Sequence, residues 1–254
     1  MLQLSIVVPA YNEERTLART IEKLFRLPNL LEVVVVDDAS TDTTAEIAAR
    51  LANESSLVRL VRHPQNRGKS QAVVSGIAAT RGDIVVIQDA DEEYDSDEIP
   101  ELIRPILNGV ADAVYGSRFL IRRAARVLYF YHYVANKCIT FFSNLLTNIN
   151  LSDVETGYKA FRGDLIRAMI LKSTGFGFEL EVTAKLAKLN CAIYEVPISY
   201  YGRTYEQGKK IGAMDAFAAF WYIIRYNLFC TLKQSYRTIP SVGHKQRSTA
   251  GAST

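Results

Sequence analysis

Residues 84–91 read Ile-Val-Val-Ile-Gln-Asp-Ala-Asp, a short apolar run followed at once by two aspartates one residue apart. A continuously apolar, β-branched run is typical of a strand that is covered on both faces of a parallel sheet. Residues i and i+2 of a strand point the same way, so both carboxylates can address one hard cation. Surface loops also carry paired aspartates, and the position directly after a buried strand is what favours a metal site here.

Strand and helix patterns alternate on both sides of this stretch. Strands are predicted at 4–8, 33–36, 57–61 and 84–87, and helices at 13–27, 42–51 and 68–79. This order predicts an α/β, Rossmann-like three-layer sandwich with a mostly parallel central sheet. Ligands of such sheets bind beyond the carboxyl ends of the strands. That rule selects four places, namely 9–13, 37–38, 89–91 and 116–118.

Composition excludes several classes of protein. The 254 residues are 48% hydrophobic, which is enough for a large core, and 30 basic against 27 acidic residues give a net charge of +3. This balance argues against a disordered polyelectrolyte and against a nucleic-acid binder. Three scattered cysteines favour a reducing compartment over a disulfide framework. No leader is recognised at the front, and no transmembrane helix is predicted, since a span needs about 20 apolar residues. We therefore expect a cytoplasmic protein.

The second half of the chain mixes aromatic and basic residues. Neither 113–152 nor 216–254 contains an acidic residue. We divide the chain into a catalytic domain at 1–212, an amphipathic helical segment at 213–240 and a disordered polar tail at 241–254. The acid-free segments either pack on the core or another subunit, or lie peripherally on the cytoplasmic face of a membrane.

Several polar residues follow the predicted strands. Asp37 and Asp38 either cap the next helix or accept hydrogen bonds from a ribose or a base. Tyr11 would lie against a base, and Glu13 would accept from its ring N–H. Gly68-Lys69 lacks the spacing of a Walker phosphate loop, so it either caps a helix or faces substrate. Glu93, two residues beyond Asp91, is a candidate third metal ligand. The three histidines do not cluster, and we assign them no catalytic role.

Taken together, these motifs resemble family 2 glycosyltransferases of the GT-A fold. The first set is Val7–Glu14, Val36–Asp42, Gly68-Lys69, Asp89-Ala90-Asp91 and Gly116-Ser117-Arg118. A second set narrows the resemblance to the dolichyl-phosphate mannose and glucose synthase branch: Glu155–Arg162, Gly177–Glu181 and Glu195–Arg203. The match covers about residues 4 to 212.

The resemblance implies an inverting hexosyltransferase that uses a nucleotide-diphosphate sugar of the GDP-mannose or UDP-glucose type, Mg²⁺ or Mn²⁺, and a polyprenyl phosphate acceptor. Residues implied to hold the nucleoside are Pro9, Ala10, Tyr11, Glu13, Val36 and Asp38. Residues implied to meet the diphosphate and metal are Asp89, Ala90 and Asp91, with Arg118 on phosphate. Arg203 and Lys209 would close over the donor as part of a mobile lid at 201–212. Relatives often have glutamine where this chain has Glu93, so their donor preference does not transfer.

The acceptor decides which further residues are needed. A phosphate monoester is already ionised at pH 7, so its attack requires no general base. Its negative charge instead requires positively charged side chains that bind it. Arg122, Arg123 and Arg126 are the candidates, unless they form a solvated basic face. A soluble enzyme acting on a sugar or protein hydroxyl would need a base, for which Glu155, Glu179 and Glu181 are available. A non-catalytic nucleotide-sugar-binding protein is the third hypothesis, and the complete Asp89-Ala90-Asp91 motif argues against it.

Overall fold

The structure, a computed structural model, describes residues 2–120, 129–175, 177–202 and 213–242. In this part of the chain a seven-stranded sheet with the order β3-β2-β1-β4-β6-β5-β7 forms the centre. Its strands are β1 (Leu4–Ala10), β2 (Leu30–Asp37), β3 (Val58–Arg62), β4 (Ile84–Ile87), β5 (Ala113–Ser117), β6 (Lys159–Arg162) and β7 (Ile193–Pro197). All neighbours pair in parallel except β6, which runs antiparallel to β4 and β5. The expected mostly parallel sheet is confirmed.

Helices cover both faces of the sheet. They are α1 (Leu17–Leu24), α2 (Thr44–Glu54), α3 (Lys69–Ala79), α4 (Ile99–Leu107), α5 (Phe130–Thr147), α6 (Gly163–Ala168), α7 (Phe178–Lys188), α8 (Ala213–Leu228) and α9 (Leu232–Ser235), with a 3₁₀ turn at Ser96–Glu98. Alternation along β1 separates the two cores, because successive side chains point to opposite faces. Ile6 and Val8 pack with α1, α2 and α4, whereas Val7 packs with α3, α5, α7 and α8. The three-layer arrangement is thereby confirmed.

Helix α1 is shorter than the predicted 13–27. Residues 13–16 form a turn in which the amides of Thr16 and Leu17 both donate to the carbonyl of Glu13. The other end closes in a turn as well, since the amide of Leu27 donates to the carbonyl of Leu24 just before Pro28. Proline disfavours the helical conformation in the residue before it, so the helix cannot continue to Leu27.

The C-terminal segment packs on the core that contains Val7. Helix α8 contacts α5 and α7, and its Ile223 is buried in the same hydrophobic cluster as residues of those helices. The Tyr236 hydroxyl donates to the carbonyl of Lys185 at 2.9 Å, and Val242 is buried in the same core. The proposed division at 212 and 240 stays a prediction. No helix in the described ranges is long and apolar enough to cross a bilayer.

Candidate active site

The carboxyl ends of four strands meet at one edge of the sheet. β1, β2 and β4 are adjacent and parallel, and β5 points the same way because β6 reverses between β4 and β5. The loops that follow these strands hold the residues selected from the sequence: Tyr11, Asp38, Asp89, Asp91 and Arg118. The chain order around β1 switches direction here, which is where α/β sheets place their ligands. The expected gathering of these segments at one edge is therefore observed.

Asp38 is a buried carboxylate with several donors. Its Oδ1 accepts from His63 Nδ1 at 2.6 Å and from the Arg67 amide at 2.9 Å, and its Oδ2 accepts from the Gly68 amide at 2.7 Å. Three of its four lone-pair positions are thus filled from within the chain. Neither Asp37 nor Asp38 caps α2: its N-cap residue is Thr43, which makes no side-chain capping bond, and Asp42 Oδ1 accepts from the Thr44 amide at 2.9 Å. Asp38 therefore ties the loop before α3 to the end of β2.

The first turn of α3 faces the aspartate pair. Lys69 opens this helix, and its Nζ lies 2.7 Å from Asp89 Oδ2. Burial alone would lower the pKa of Lys69, but the charges of Asp89 and Glu179 raise that pKa above its ordinary value. From the sequence alone, Gly68-Lys69 either caps a helix or faces substrate. The structure places the Lys69 ammonium beside Asp89, which favours the second alternative. Sequence reasoning had not paired it with Asp89.

Acidic side chains crowd around Asp91. Burial first, and then the charges of Asp89 and Glu93, raise the pKa of Asp91 to about 7. The Glu93 carboxylate accepts from the Tyr200 hydroxyl at 2.9 Å, which holds it beside the site. Glu92 turns away through a backbone φ of +58° and binds Lys23 on α1 at 2.9 Å. The acidic run after β4 is thus sorted into residues at the site and residues outside it.

This arrangement suits a divalent cation shared with a diphosphate. Within the described ranges, no three His, Cys, Asp or Glu side chains are placed to hold a metal ion among themselves. Magnesium commonly takes only one or two carboxylates and completes its sphere with water and substrate phosphates. Asp89 and Asp91 supply such a pair, and their mutual repulsion is what a cation would relieve. Glu93 stays a prediction as the third ligand.

A glycine brings the loop after α5 close to Lys69 and Asp89. A Cβ on Gly157 would lie 3.0 Å from Asp89 Oδ2 and 3.2 Å from Lys69 Nζ, so a side chain there would crowd both charged groups. The Gly157 amide also donates to the Tyr94 hydroxyl at 3.1 Å. Tyr94 stacks on Tyr158 with ring centroids 5.0 Å apart, which ties this loop to the segment after the aspartates.

Arg118 is held mainly by another acid. Its Nε and Nη2 donate to the two oxygens of Asp153 at 2.7 Å each, and Nη2 also donates to Asn136 Oδ1 at 3.0 Å. Burial opposes its charge, but Asp153 keeps the pKa of Arg118 above its ordinary value. With respect to the described residues, Nη1 is the guanidinium nitrogen left for a phosphate. The contact of Arg118 with a phosphate stays a prediction.

The three glutamates named as possible bases differ in their surroundings. Glu181 is bound to Lys185 and accepts from the Lys172 and Ser173 amides, so it holds α7 against the preceding loop. Burial raises the pKa of Glu155 to about 7, with Arg118 opposing the shift and Glu179 adding to it. Burial likewise raises the pKa of Glu179. Glu155 and Glu179 are the acids that lie near the site.

A buried lysine, Lys159, supports the loop that carries Glu155. Lys159 of β6 donates to the carbonyls of Val154 and Thr156, which fixes the backbone on both sides of Glu155. Burial lowers the pKa of Lys159 to about 8, and Glu179 opposes that shift. Its ammonium also lies 4.4 Å from the ring centroid of Tyr115. The Glu155–Arg162 motif can be recognised in the sequence. The role of Lys159 in holding the backbone around Glu155 cannot, because it depends on contacts that only the fold creates.

Five predicted residues fall outside the described part of the chain. They are Arg122, Arg123, Arg126, Arg203 and Lys209. The proposed lid at 201–212 is described only at its first two residues. The other donor-binding predictions can be placed: Pro9, Ala10 and Val36 are buried strand residues, Tyr11 is exposed, and Glu13 Oε2 accepts from the Thr16 hydroxyl at 3.0 Å.

Comparison with known sequences identifies the family. The sequence model described as Glycosyl transferase family 2 matches residues 5–169, which contain the first six strands and most of the site. The chain belongs to glycosyltransferase family 2. Its fold is the GT-A fold: glucosyl-3-phosphoglycerate synthase of Mycobacterium tuberculosis superposes with a TM-score of 0.69 at 23% identity, covering 89% of this chain and 81% of that one.

Curated members of the family include similar sequences. Undecaprenyl-phosphate mannosyltransferase of Micrococcus luteus is 31% identical over 82% of this chain and 87% of its own length. Dolichol-phosphate mannosyltransferase of Pyrococcus furiosus is 32% identical over 83% of this chain and 60% of its length. The low-salt glycan biosynthesis hexosyltransferase Agl6 of Haloferax volcanii is 31% identical over 89% of this chain. This glycosyltransferase chain spans about half of Agl6, since the match covers 53% of that protein.

Proposed function

We propose that this family 2 glycosyltransferase moves a hexose, with inversion, from a nucleotide-diphosphate sugar to a polyprenyl phosphate. The observation that carries the proposal is the cluster of Lys69, Asp89 and Asp91 at the carboxyl end of β4. It joins two cation-binding carboxylates to an ammonium, and a diphosphate leaving group calls for both kinds of partner. The names of the Micrococcus and Pyrococcus relatives support the lipid phosphate as acceptor.

Each end of the donor has its own residues in this proposal. The nucleoside lies against Pro9, Ala10, Tyr11, Glu13, Val36 and Asp38. Asp89, Ala90 and Asp91 face the diphosphate, and bound Mg²⁺ or Mn²⁺ offsets the charge that builds up on it as it leaves. Lys69 Nζ exchanges its contact with Asp89 for a phosphate oxygen. Arg118 Nη1 binds phosphate, and Arg203 and Lys209 close over the donor and exclude water.

The transfer itself needs no proton acceptor from the chain. An ionised acceptor oxygen attacks the anomeric carbon from the side opposite the diphosphate, and the bond from that carbon to the diphosphate oxygen breaks. A phosphate monoester carries its second charge at pH 7 because its second pKa is about 6. In this proposal Arg122, Arg123 and Arg126 hold that phosphate. Positioning and charge therefore supply the rate enhancement.

The lipid acceptor requires contact with a bilayer surface. Helices α5 and α8 pack together, with the Phe142 and Phe220 rings 5.2 Å apart, and they expose large apolar side chains. These include Phe141, Leu145, Phe217, Trp221 and Leu228, with Phe217 74% exposed. Apolar contiguity of this kind marks an interaction surface. We place it on the cytoplasmic face of a membrane, where basic residues add about 1 kcal/mol each near anionic lipid.

One observation favours a second candidate, transfer to a hydroxyl group. Glu155 has a pKa of about 7, which suits a general base, and it lies in the loop that approaches Asp89. A sugar or protein hydroxyl has to lose its proton during attack, so this enzyme would need such a residue. The two candidates make opposite predictions for Glu155→Gln, which abolishes transfer to a hydroxyl and leaves transfer to a phosphate nearly intact.

A donor and acceptor screen tests the proposal. The full chain, with Mn²⁺ or Mg²⁺, is offered labelled GDP-mannose, UDP-glucose or UDP-N-acetylglucosamine and vesicles that contain polyprenyl phosphate. We expect label in the lipid phase with one donor, loss of transfer in excess EDTA and loss in Asp91→Ala. Transfer only to hydroxyl acceptors would favour the second candidate. Failure to bind any nucleotide would overturn both.

A further inference from the structure

The loop between β3 and α3 is held at its C-terminal end by the carboxylate of Asp38. Residues 64–67 are exposed, so packing contributes little to their position. The amides of Arg67 and Gly68 donate to the two Asp38 oxygens at 2.9 and 2.7 Å. Gly68 has a φ of +84° and is the residue before the first turn of α3. The Asp38 carboxylate therefore holds the two residues just before α3, while Ser70 in the first turn is held separately by donating to the Gly175 carbonyl.

His63 donates to the same carboxylate from the other end of the loop. It follows β3 directly, and its amide donates to the Asp37 carbonyl at 2.9 Å, which continues the β2–β3 ladder. Its Nδ1 is 2.6 Å from Asp38 Oδ1, and its Nε2 is 2.9 Å from the Ser75 hydroxyl of α3. An ionised carboxylate only accepts, so the hydrogen is on Nδ1. In the neutral ring Nε2 then accepts from Ser75, and both ring nitrogens are satisfied.

The next residue along the chain is Lys69, whose Nζ contacts Asp89. A connected path therefore runs from the His63 ring through Asp38 and the Gly68 amide to the ammonium in the site. We propose that His63 is a positioning residue: by donating to Asp38 it holds the loop so that Lys69 meets the donor diphosphate. This inference rests on the proposed function, since it presumes a diphosphate at Asp89.

The two ring nitrogens of His63 have different roles in this proposal: Nδ1 donates to Asp38, and Nε2 accepts from Ser75. An asparagine amide takes roughly the place of Nδ1, and a glutamine amide takes roughly the place of Nε2. His63→Asn thus keeps the donor to Asp38, whereas His63→Gln loses it and keeps a group near Ser75. A role limited to packing would make both variants alike in nucleotide affinity. A positioning role predicts that asparagine rescues affinity and glutamine does not.

Calorimetric titration of GDP and UDP in the presence of Mn²⁺ provides the test. We expect His63→Asn to bind within about threefold of the unmodified protein and His63→Gln to bind at least tenfold more weakly, with similar melting temperatures for both. Ser75→Ala, which removes only the Nε2 partner, should bind like the unmodified protein. Equal affinities for the Gln and Asn variants, or a Ser75→Ala loss as large as that of the Gln variant, would overturn the inference.

A double-mutant cycle identifies the path. If His63 acts through Lys69, the affinity penalty of His63→Gln should disappear in a Lys69→Met background. A full penalty in that background would overturn the path even if the single variants behaved as expected. Failure of the proposed function has a different signature. In that case the unmodified protein binds neither nucleotide, or binds one and transfers nothing to polyprenyl phosphate.

Discussion

Asp91→Asn should stabilise the metal-free protein while removing its response to metal. The pKa of Asp91 is about 7, compared with 3.8 for an ordinary aspartate, because the group is buried beside Asp89 and Glu93. A carboxyl whose pKa is raised on folding binds its proton more tightly in the folded state. Its stabilising effect is present below pH 3.8 and is lost as the pH rises through about 7. At pH 8 the ionised Asp91 carboxylate destabilises the folded protein to the full extent, and replacement by asparagine removes that destabilisation.

The size of the gain follows from the shift. A change of about three pKa units at 1.36 kcal/mol per unit sets an upper limit of about 4 kcal/mol. Relaxation of the loop and partial access of water reduce this figure, so we expect about 2 kcal/mol. For a chain of this size that raises the melting temperature by roughly 4 to 8 °C. Asparagine also keeps an acceptor for the Glu93 amide, which donates to Asp91 Oδ1 at 3.1 Å.

Thermal unfolding in EDTA and in Mn²⁺ with a nucleoside diphosphate, at pH 5 and at pH 8, measures these effects. The stabilisation by asparagine should be larger at pH 8 than at pH 5. Mn²⁺ should stabilise the unmodified protein and leave Asp91→Asn unchanged. Asp97→Asn, which removes an exposed charge six residues along, is the matched control and should show neither effect. A less stable Asp91→Asn protein in EDTA at pH 8 would contradict the raised pKa of Asp91, and equal stabilisation of both proteins by Mn²⁺ would contradict its role as a metal ligand.

Three further predictions concern Lys69, Arg203 and Glu32. Lys69→Met should lower kcat/KM in steady-state kinetics, by an amount that corresponds to a loss of about 2 to 4 kcal/mol of transition-state stabilisation. It should also tighten Mn²⁺ binding without nucleotide, as measured by calorimetry. The control variant Arg67→Met should change neither quantity. Arg203→Ala should lower kcat/KM by a similar amount, and hydrogen exchange at 201–212 should slow only when donor and metal are both present; unchanged exchange with normal kinetics would exclude the lid. Burial would raise the pKa of Glu32, but bonds from Arg59 and others keep it below its ordinary 4.5, so this carboxylate stabilises the fold above that pH and the effect is lost as the pH falls further. Glu32→Gln should cost about 2 kcal/mol in urea unfolding at pH 7 and flatten the stability profile below pH 4.5, and an unchanged profile would contradict the assignment.

The sequence predicted the first four strands well because their patterns are local. Val33–Val36 and Ile84–Ile87 are continuous β-branched runs, and the strand observed at 84–87 has the predicted bounds. The antiparallel β6 carries no such signal. It begins with Lys159, which is fully buried because its ammonium binds the carbonyls of Val154 and Thr156. A charged residue in a buried strand becomes reasonable only when those carbonyls are placed beside it.

The site shows the same division. The Asp89-Ala90-Asp91 motif could be found because it follows a buried strand. His63 could not, since its partners Asp38 and Ser75 lie 25 and 12 residues away in the sequence. Glu181 was equivalent to Glu179 as a base candidate from the sequence alone. The fold separates them by binding Glu181 to Lys185 one helical turn away.

The most direct test of the central claim is to identify the bond that the enzyme forms. The full chain, Mn²⁺ and the donor selected by the screen are incubated with vesicles that contain polyprenyl phosphate or the matching polyprenol, and the lipid product is analysed by mass spectrometry and by ³¹P and ¹H nuclear magnetic resonance. We expect a hexosyl phosphate diester with inverted anomeric configuration, formed only from the phosphorylated lipid and absent with Asp91→Ala. A retained configuration, or equal glycosylation of the polyprenol, would contradict the claim.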